Sequence, residues 1–332
     1  MTRLQVNHAA LAANWQYLRD QAPGASCAAV VKANGYGLGI AHIAPPLWQA
    51  GCRTFFVAHA EEGVALRRLL PQATIIVLHG VRAQTADVLA QYELIPALKS
   101  HDDIRLWQKP GWLHVDTGMN RLGFAPGDLP AYDQALGVMS HFACSDEPVH
   151  FMNVQQLKAF RAVRAHYAGL PASLCNSSGI FLGPANHFDL LRPGVALYGV
   201  NPTPEQPNPM QPVVTVQVPV LQTRTIQAGE TAGYGGTWMA DRPTKLATIE
   251  CGYADGFLRA LSGRGMAAVQ GVKVPFAGRV SMDLIILDVT DAPSVKVGDA
   301  VELIGPTISV DEVAQAAGTI GYEVLTSLKL RD

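Results

Sequence analysis

The sequence lacks several features that would assign a protein to a broad class at once. Its 332 residues contain no run of like charges and carry a formal net charge of only −2. Nucleic acid or an anionic membrane surface is therefore not expected as the main partner. No apolar stretch approaches the length of a membrane span, and the first residues lack the apolar core of a signal peptide, so we expect a cytoplasmic location.

Paired cysteine motifs are also missing. The five cysteines are scattered along the chain without CxxC spacing. They indicate reduced thiols rather than disulfides or zinc ligands, and we predict no metal site. In contrast, apolar residues make up 48% of the chain and charged residues 16%. This composition predicts a large core, and the length predicts a barrel followed by a smaller domain.

One stretch organises the remaining features. The apolar run 27–31 ends on Lys32, and the turn Ala33-Asn34-Gly35-Tyr36-Gly37 follows at once. An ammonium group at the end of a buried strand is costly unless it is paired, neutralised or covalently bonded. A neutral lysine amine is a nucleophile suited to forming an imine with a carbonyl compound such as pyridoxal phosphate. The alternative is that Lys32 simply extends to solvent at the rim.

Strand and helix patterns alternate over the first two thirds of the chain. Eight strand-then-helix units in roughly 200 residues predict a (β/α)8 TIM barrel. A doubly wound sheet is the alternative, but no GxGxxG motif follows the first strand. The predicted strands, after a first helix over 7–20, end at Lys32 or span 53–58, 73–79, 94–99, 112–116, 137–143, 172–176 and 189–192. The helices between them are predicted over 41–51, 60–70, 83–91, 101–108, 127–135 and 153–168, with a short helical turn before the eighth strand.

Unusual polar residues follow the predicted strands. In a TIM barrel the loops after the strands all face one mouth, where the chemistry takes place. Polar strand ends are ordinary, but a lysine, a histidine and two arginines among them are not. The residues are Lys32, Asp116, Arg121, His141, Asn176, Ser177 and Arg192.

The pattern of apolar residues and glycines changes after the proline-rich connector 201–209. Short alternating segments separated by glycine turns predict a smaller, mostly antiparallel β domain. We place the barrel at 8–212 and the second domain at 213–332, joined by a strand within 1–7. The predicted strands are 213–225, 245–250, 266–269, 272–274, 284–289 and 300–304, followed by a helix over 309–317 and a final strand near 322–328.

Seven motifs in order give a resemblance to a known family. They are 30–37 around Lys32, VDTGMNRLG at 115–123, SHFA at 140–143, NS at 176–177, LRPGVALYG at 191–199, GYADG at 252–256 and GRVSMD at 278–283. Across nearly the whole chain the sequence resembles the alanine racemases, which use pyridoxal 5'-phosphate. Each motif alone is weak, but seven in the same order across two domains are specific.

The resemblance implies a role for each motif. Lys32 would hold the cofactor and act as a base on one face of the substrate Cα, and Tyr253 would act on the other face. Arg192, linked to His141, would face the ring nitrogen. Arg121 and the backbone N–H of Met282 would bind the substrate carboxylate. The remaining cofactor-binding residues would be Tyr36, Asn176, Ser177, Gly194, Val195 and Tyr322.

The resemblance also implies a partner. In the family, the second domain of one subunit closes the barrel of the other, so a head-to-tail homodimer is expected in which Tyr253 and Met282 reach the partner's barrel. The substrate would be alanine, and D-alanine would feed peptidoglycan precursors or be degraded. Two positions depart from the pattern. His114 stands where many members have a carbamylated lysine, and Ser173 where some have a histidine.

Other function classes are compatible with parts of the pattern. A racemase for another small amino acid, such as serine, would use the same residues. A non-catalytic pyridoxal-phosphate-binding barrel would resemble the first domain only, so the region 213–332 argues against it. A decarboxylase would be expected to offer an acidic residue to the ring nitrogen, where this chain has Arg192. A metal-dependent aldolase would need a His/Asp cluster in the second domain.

Overall fold

The structure, a computed structural model, describes residues 3–292 and 294–329. The parts of the domain predictions that fall on 1–2, 293 and 330–332 lie outside these residues. The chain divides into two units by internal contacts. One, the barrel unit, comprises residues 11–197 and 201–211. The other, the β unit, takes the described residues of 1–10, 198–200 and 212–332.

The first part of the chain alternates short strands with helices. In order, the elements are β1 (Arg3–Val6), α1 (His8–Asp20), β2 (Ser26–Cys27), β3 (Ala29–Val30), α2 (Lys32–Tyr36), α3 (Ile40–Gln49), β4 (Thr54–Val57), α4 (Ala60–Leu69), β5 (Thr74–Val77), α5 (Ala86–Gln91), β6 (Ile95–Leu98), α6 (His101–Leu106), β7 (Gly111–His114), β8 (Ala135–Met139), α7 (Phe151–His166), β9 (Ala172–Ser173) and β10 (Leu190–Leu191). The short helical turn predicted before the eighth strand is present as two 3₁₀ turns, Ser178–Leu182 and Pro184–Asn186.

The strands of the barrel unit close into a parallel barrel. Strands β3 to β9 form one sheet in chain order, and β10 pairs with β2. The first predicted strand is thus split at Ala28, whose N–H still donates to the carbonyl of Leu191 at 2.9 Å. Between β9 and β10 the N–H of Asp189 donates to the carbonyl of Ala172, also at 2.9 Å. The (β/α)8 barrel prediction is confirmed.

Burial explains why these short segments form strands. The residues of β4 and β5 are buried apart from the threonine that begins each. Such near-continuous β-branched and aromatic runs are typical of parallel strands covered on both faces. The regular repeat places every strand end, and hence every residue that follows one, at the same mouth.

One predicted barrel helix is wrong. Residues 127–134 form turns and irregular loop rather than a helix, and Ala135 already begins β8. Pro130 stands in the middle of the segment, where a proline removes a helical hydrogen bond and clashes with the preceding turn. Instead, the N–H of Asp128 donates to the carbonyl of Ala125, and the hydroxyl of Tyr132 donates to the carbonyl of Trp107 at 2.8 Å.

The β unit is built on an antiparallel sheet. Its strands run in the order β16-β15-β18-β11-β14-β17, and β1 pairs with β11. The elements are β11 (Val214–Ile226), β12 (Thr231–Ala232), β13 (Trp238–Met239), β14 (Thr244–Ile249), β15 (Met266–Val269), β16 (Val272–Pro275), β17 (Ile285–Asp288), β18 (Ala300–Ile304), α8 (Val310–Ala317) and α9 (Gly321–Ser327). The mostly antiparallel second domain is therefore confirmed.

The final predicted strand is also wrong, because residues 321–327 form α9. Val324 and Leu325 are buried, and Leu328, just past the helix, is buried as well. Their i, i+1 and i+4 spacing places them on one helical face, although β-branched residues at short range also suit a strand. Within the described ranges, no helix combines the length and the apolar character needed to cross a membrane.

Candidate active site

Lys32 lies immediately after β3, in a turn of unusual backbone conformation. Ala33, Asn34 and Tyr36 adopt φ values of 54°, 53° and 55°, and Gly35 lies beside them at 66°. These are left-handed conformations, which cost a non-glycine residue about 1–2 kcal/mol. The turn is held by hydrogen bonds from the N–H of Gly35 to the carbonyl of Val31 and from the N–H of Gly37 to that of Ala33. A strained but well-bonded turn therefore fixes where the Lys32 side chain leaves the backbone.

The environment of Lys32 favours a neutral amine. Burial lowers the pKa of the Lys32 ammonium below its usual range, the positive charge of Arg121 lowers it further, and Glu62 acts in the opposite direction. A lysine with a lowered pKa is a better nucleophile and base near neutral pH. This is the property that distinguishes a reactive lysine from one extending to solvent.

Arg192, which follows β10, lies deep in the barrel unit and is only 4% exposed. Its guanidinium donates to the hydroxyl of Ser173 and to the carbonyls of Ser140 and Leu174. All of these acceptors are neutral. Burial lowers the pKa of Arg192 to about 10, so the side chain stays charged at neutral pH. The site thus holds a cation against neutral dipoles rather than against a carboxylate.

His141, which follows β8, lies next to Arg192. A guanidinium N–H lies 3.4 Å from His141 Nδ1. Arginine has only donors, so Nδ1 accepts this contact and the proton of the neutral ring is on Nε2. Burial, together with the charge of Arg192, holds the pKa of His141 well below its usual value. The His141–Arg192 link expected from the sequence is present, and His141 is a neutral Nε2–H donor.

His114, at the end of β7, is another neutral histidine at this mouth. Burial is the main cause that lowers its pKa to about 4, with Arg192 contributing. Its Nδ1 atom is buried and has no hydrogen-bond partner among the described residues. At neutral pH the position expected to carry a carbamylated lysine in many family members therefore carries no charge.

Tyr36, Ser177 and Gly194 come together at the end of β3. The N–H of Gly194 donates to Ser177 Oγ at 2.9 Å, and the N–H of Ala196 lies 3.3 Å from the same oxygen. A Cβ atom at Gly194 would lie 2.3 Å from the Tyr36 hydroxyl, so only glycine fits. Val195 is buried next to this glycine. Hydroxyls and backbone N–H groups thus converge without a lysine or arginine among them.

Asn176 and Arg121 are held by hydrogen bonds within their own loops. Asn176 Oδ1 accepts from the N–H of Gly179 and from the Ser145 hydroxyl, both at 2.8 Å, so it shapes the turn around Ser177. The backbone N–H of Arg121 donates to an Asp116 carboxylate oxygen at 2.9 Å. Its charge also acts on Lys32 and His141.

The other predicted site residues lie in the β unit. The turn of Tyr253 and the segment of Met282 are joined by backbone hydrogen bonds, from Tyr253 N–H to the Ser281 carbonyl and from Ala254 N–H to the Met282 carbonyl, both at 3.0 Å. A Cβ atom at Gly252 would lie 2.1 Å from the Met282 carbonyl oxygen. Tyr253 is 42% exposed and Met282 53% exposed. Tyr322, in the first turn of α9, is 38% exposed.

Two polar contacts at the mouth were not predicted from the sequence. Gln156 of α7 donates to the His141 carbonyl at 2.8 Å and accepts from the Ala143 N–H at 2.9 Å. Glu62, in the first turn of α4, accepts from backbone N–H groups of two segments, one of them the turn after Lys32. The pair Glu61-Glu62 after His59 indicates a helix N-terminus. No local pattern reveals that Glu62 also contacts Ala33 and Asn34, which precede it by 29 and 28 positions.

These features define the class of the protein. A (β/α)8 barrel presents a lysine with a lowered pKa, a buried arginine and a neutral histidine at its catalytic mouth, and a separate β unit follows in the chain. Charged and polar side chains gathered at this mouth are the usual arrangement of a barrel enzyme. Within residues 3–292 and 294–329 no group of three or more potential ligand side chains is placed to hold a metal ion.

Comparison with known proteins identifies the family. The model described as "Alanine racemase, N-terminal domain" matches residues 6–202, and the one described as "Alanine racemase, C-terminal domain" matches residues 213–331. The chain belongs to the alanine racemase family.

Individual relatives agree over the whole length. An alanine racemase of Methylobacterium nodulans is 50% identical over 99% of this chain and 94% of its own. The crystal structure of alanine racemase from Bartonella henselae with covalently bound pyridoxal phosphate is 42% identical, with a TM-score of 0.93 over 98% of this chain and 97% of that one. A biosynthetic alanine racemase from Pseudomonas aeruginosa is 35% identical, with a TM-score of 0.92 over 99% and 97% of the two chains.

Proposed function

We propose that this chain interconverts L- and D-alanine with pyridoxal 5'-phosphate as cofactor, using Lys32 and Tyr253 as bases on opposite faces of the substrate Cα. The observation that carries the proposal is the combination of a lysine of lowered pKa with a buried, charged Arg192 whose acceptors are all neutral. A structural lysine at a barrel rim needs no buried, charged arginine at the same mouth. The membership of the chain in the alanine racemase family supports the choice of reaction.

The residues of the barrel unit fit this cofactor. Lys32 offers an amine for its aldehyde, and in the cradle of Tyr36, Ser177 and Gly194 the two hydroxyls could donate to a phosphate. The N–H of Gly194, which donates to Ser177 Oγ in this structure, would turn to the phosphate when the cofactor binds. The steric limit at Gly194 keeps the cradle open, because any side chain there would collide with the Tyr36 hydroxyl. Val195, Asn176 and Tyr322 complete the proposed set. When bound, the cofactor supplies a conjugated ring that withdraws electrons from the bond to the α-hydrogen.

Arg192 would restrain the cofactor chemistry. Its pKa of about 10 keeps it protonated at neutral pH, so it can donate a hydrogen bond to the ring nitrogen but does not readily release a proton. The ring then stays a weaker electron sink than one beside a carboxylic acid. Rapid return of a proton to Cα is thereby favoured over side reactions such as transamination.

Two bases are needed because a single fixed base returns the proton to the face from which it came. Lys32, with its lowered pKa, is suited to one face. Tyr253 would serve the other, with the neutral Nε2–H of His141 and the charge of Arg192 stabilising a phenolate. Arg121 and the backbone N–H of Met282 would bind the substrate carboxylate.

We further propose a cytoplasmic head-to-tail homodimer in which Tyr253 and Met282 of one subunit complete the barrel mouth of the other. Both side chains are about half exposed in the single chain, so a second subunit could contact them. The residues 252–256 and 281–282 are held together by backbone hydrogen bonds and would enter such a site as one piece.

The test separates cofactor binding from racemisation. Purified wild-type protein should show the visible absorbance band of a lysine-bound cofactor, and Lys32→Ala should lose it. In deuterium oxide, wild type should exchange the α-hydrogen of both alanine enantiomers and convert each into the other. Tyr253→Phe should keep the band and lose conversion. A band without exchange would indicate a cofactor-binding protein, and faster conversion of serine than of alanine would indicate a racemase of another substrate.

A further inference from the structure

The geometry points to Glu62 as the positioning residue for Lys32: its carboxylate ties the left-handed turn after Lys32 to the loop after β4. The inference deepens the proposed function, because it rests on Lys32 as the reactive lysine. The four hydrogen bonds that Glu62 accepts all come from backbone N–H groups, so it acts on Lys32 through the turn and through its charge near the amine.

Four backbone donors from two segments converge on this carboxylate. Oε1 accepts from the N–H of Ala33 at 2.6 Å and lies 3.4 Å from the N–H of Asn34. Oε2 accepts from the N–H of Ala58 at 2.8 Å and from that of His59 at 3.2 Å. The two segments follow neighbouring strands of the barrel, β3 and β4, which are paired. One side chain therefore bridges the ends of both strands.

A helix cap accounts for only half of these contacts. Glu62 is the third helical residue of α4, and a glutamate there commonly bonds back to the N-cap N–H, as Oε2 does with His59. Oε1 is not needed for that cap. Its bond to Ala33, the residue after Lys32, is the shorter of the contacts and crosses 29 positions of sequence.

The turn is the part of the site that needs such a tie. Ala33 and Tyr36 have no intrinsic preference for left-handed backbone, so an untied turn would relax toward ordinary conformations. On its other side the turn is tied by Asn34, whose Oδ1 accepts from the N–H of Ile40 at 2.9 Å. Relaxation of the Glu62 side would change the direction in which the Lys32 side chain points.

Glu62 also places a negative charge near the amine. It opposes the lowering of the Lys32 pKa that burial and Arg121 cause. Replacement by glutamine should therefore both loosen the turn and shift the basic activity of Lys32 to lower pH. Replacement by aspartate keeps the charge but shortens the arm by one methylene, so it cannot span both segments.

Three variants of the holoenzyme test the inference. In Glu62→Gln, amide hydrogen exchange of peptides covering residues 31–37 should accelerate about tenfold or more, and kcat should fall about tenfold with KM for alanine changed by less than about twofold. The acidic limb of the kcat profile should also shift to lower pH. In Glu62→Asp, which can still cap α4, peptides covering 57–63 should stay protected while 31–37 exchanges faster. The matched control is Glu61→Gln, since Glu61 is exposed and adjacent.

Two results would overturn the inference. In the first, exchange over 31–37 and kcat of Glu62→Gln remain within about twofold of Glu61→Gln. In the second, both Glu62 variants lose stability globally, and amide exchange over 31–37 in Glu62→Asp is as slow as in wild type. Glu62 would then be a helix cap only. Failure of the proposed function would be seen separately, as a wild-type protein without a Lys32-dependent absorbance band, and the exchange comparison would still decide the role of Glu62.

Discussion

Ser173 shows how a departure at one residue can preserve a local arrangement. Its hydroxyl accepts from the Arg192 guanidinium and donates to the Leu190 carbonyl. The hydrogen bonds thus run from Arg192 through Ser173 to a backbone carbonyl of the neighbouring strand β10, at the position where some family members are expected to have a histidine. Arg192 is therefore oriented by the sheet itself, without a further titratable ring.

The buried, neutral His114 leads to a prediction of how the free energy of unfolding depends on pH. Burial lowers its folded-state pKa to about 4, whereas an unfolded histidine titrates near about 6.5. The unfolded chain thus takes up this proton first as the pH falls. The stabilisation is complete above about pH 6.5 and is lost as the pH falls toward about 4. The full loss is about 3.5 kcal/mol, from about 2.5 pKa units at about 1.4 kcal/mol each.

Urea unfolding at several pH values measures the contribution of His114 to the free energy of unfolding. Between about pH 7 and about pH 5, wild type should lose about 2 kcal/mol more free energy of unfolding than His114→Gln, which has no proton to gain there. His141 titrates in both proteins and cancels in the comparison. Equal pH slopes for wild type and His114→Gln would contradict a neutral, buried His114.

At the scale of elements, helix α7 holds the loop that follows β8. Gln156 is 1% exposed and pairs with both the carbonyl of His141 and the N–H of Ala143. We expect Gln156→Leu to leave these two groups unpaired and to lower the free energy of unfolding by about 2 kcal/mol or more. The same change should reduce kcat, because His141 loses the contact that fixes its backbone.

The neighbouring Gln155 provides the control, because it is exposed on the next position of the same helix. Gln155→Leu should change stability by about 0.5 kcal/mol or less. Gln156→Glu adds a finer comparison, since a carboxylate still accepts from Ala143 but cannot donate to the carbonyl of His141. Equal stability of the two leucine variants in denaturant unfolding would show that α7 does not secure the loop.

Elements were predictable where periodicity and turn chemistry agree. The parallel strands have near-continuous buried runs and are predicted from the sequence, as are the strands of the larger antiparallel sheet, whereas the short antiparallel pair β12 and β13 is not. The segment 127–135 looked helical because its polar and apolar residues suit a helix, but Pro130 outweighs them. In α9 the β-branched Val324 suits a strand, whereas the burial of Val324, Leu325 and Leu328 marks one face of a helix.

The site was predictable to the extent that its residues lie in local motifs. Lys32 and Arg192 each follow an apolar run, so a charged residue at the end of a buried strand identifies them from sequence. Glu62 and Gln156 could not be found in this way, since their partners are backbone groups, which carry no residue type. Such contacts are set by how helices lie over the strands, which a single sequence does not specify.

At the scale of the whole molecule, the proposed dimer predicts that activity returns when two inactive variants are mixed, which sites built from a single subunit would not allow. Lys32→Ala and Tyr253→Phe should each be inactive as purified homodimers. If each active site takes Lys32 from one subunit and Tyr253 from the other, a mixed dimer contains one site with both residues intact and one with neither. Random exchange in an equal mixture should then restore about a quarter of the wild-type activity.

The opposite arrangement gives a different result with the same proteins. If Lys32 and Tyr253 served one site within one subunit, every site in the mixed dimer would carry one substitution and no activity would return. Mixing after partial unfolding in urea, followed by dilution and an assay of alanine conversion, distinguishes the two cases. A Lys32→Ala sample mixed with Lys32→Ala,Tyr253→Phe is the control, since neither arrangement can then assemble an intact site. Recovery with the single variants and none in the control requires that the exposed phenol of Tyr253 acts in the site that contains the Lys32 amine of a second chain, and this requirement makes the dimer the catalytic unit.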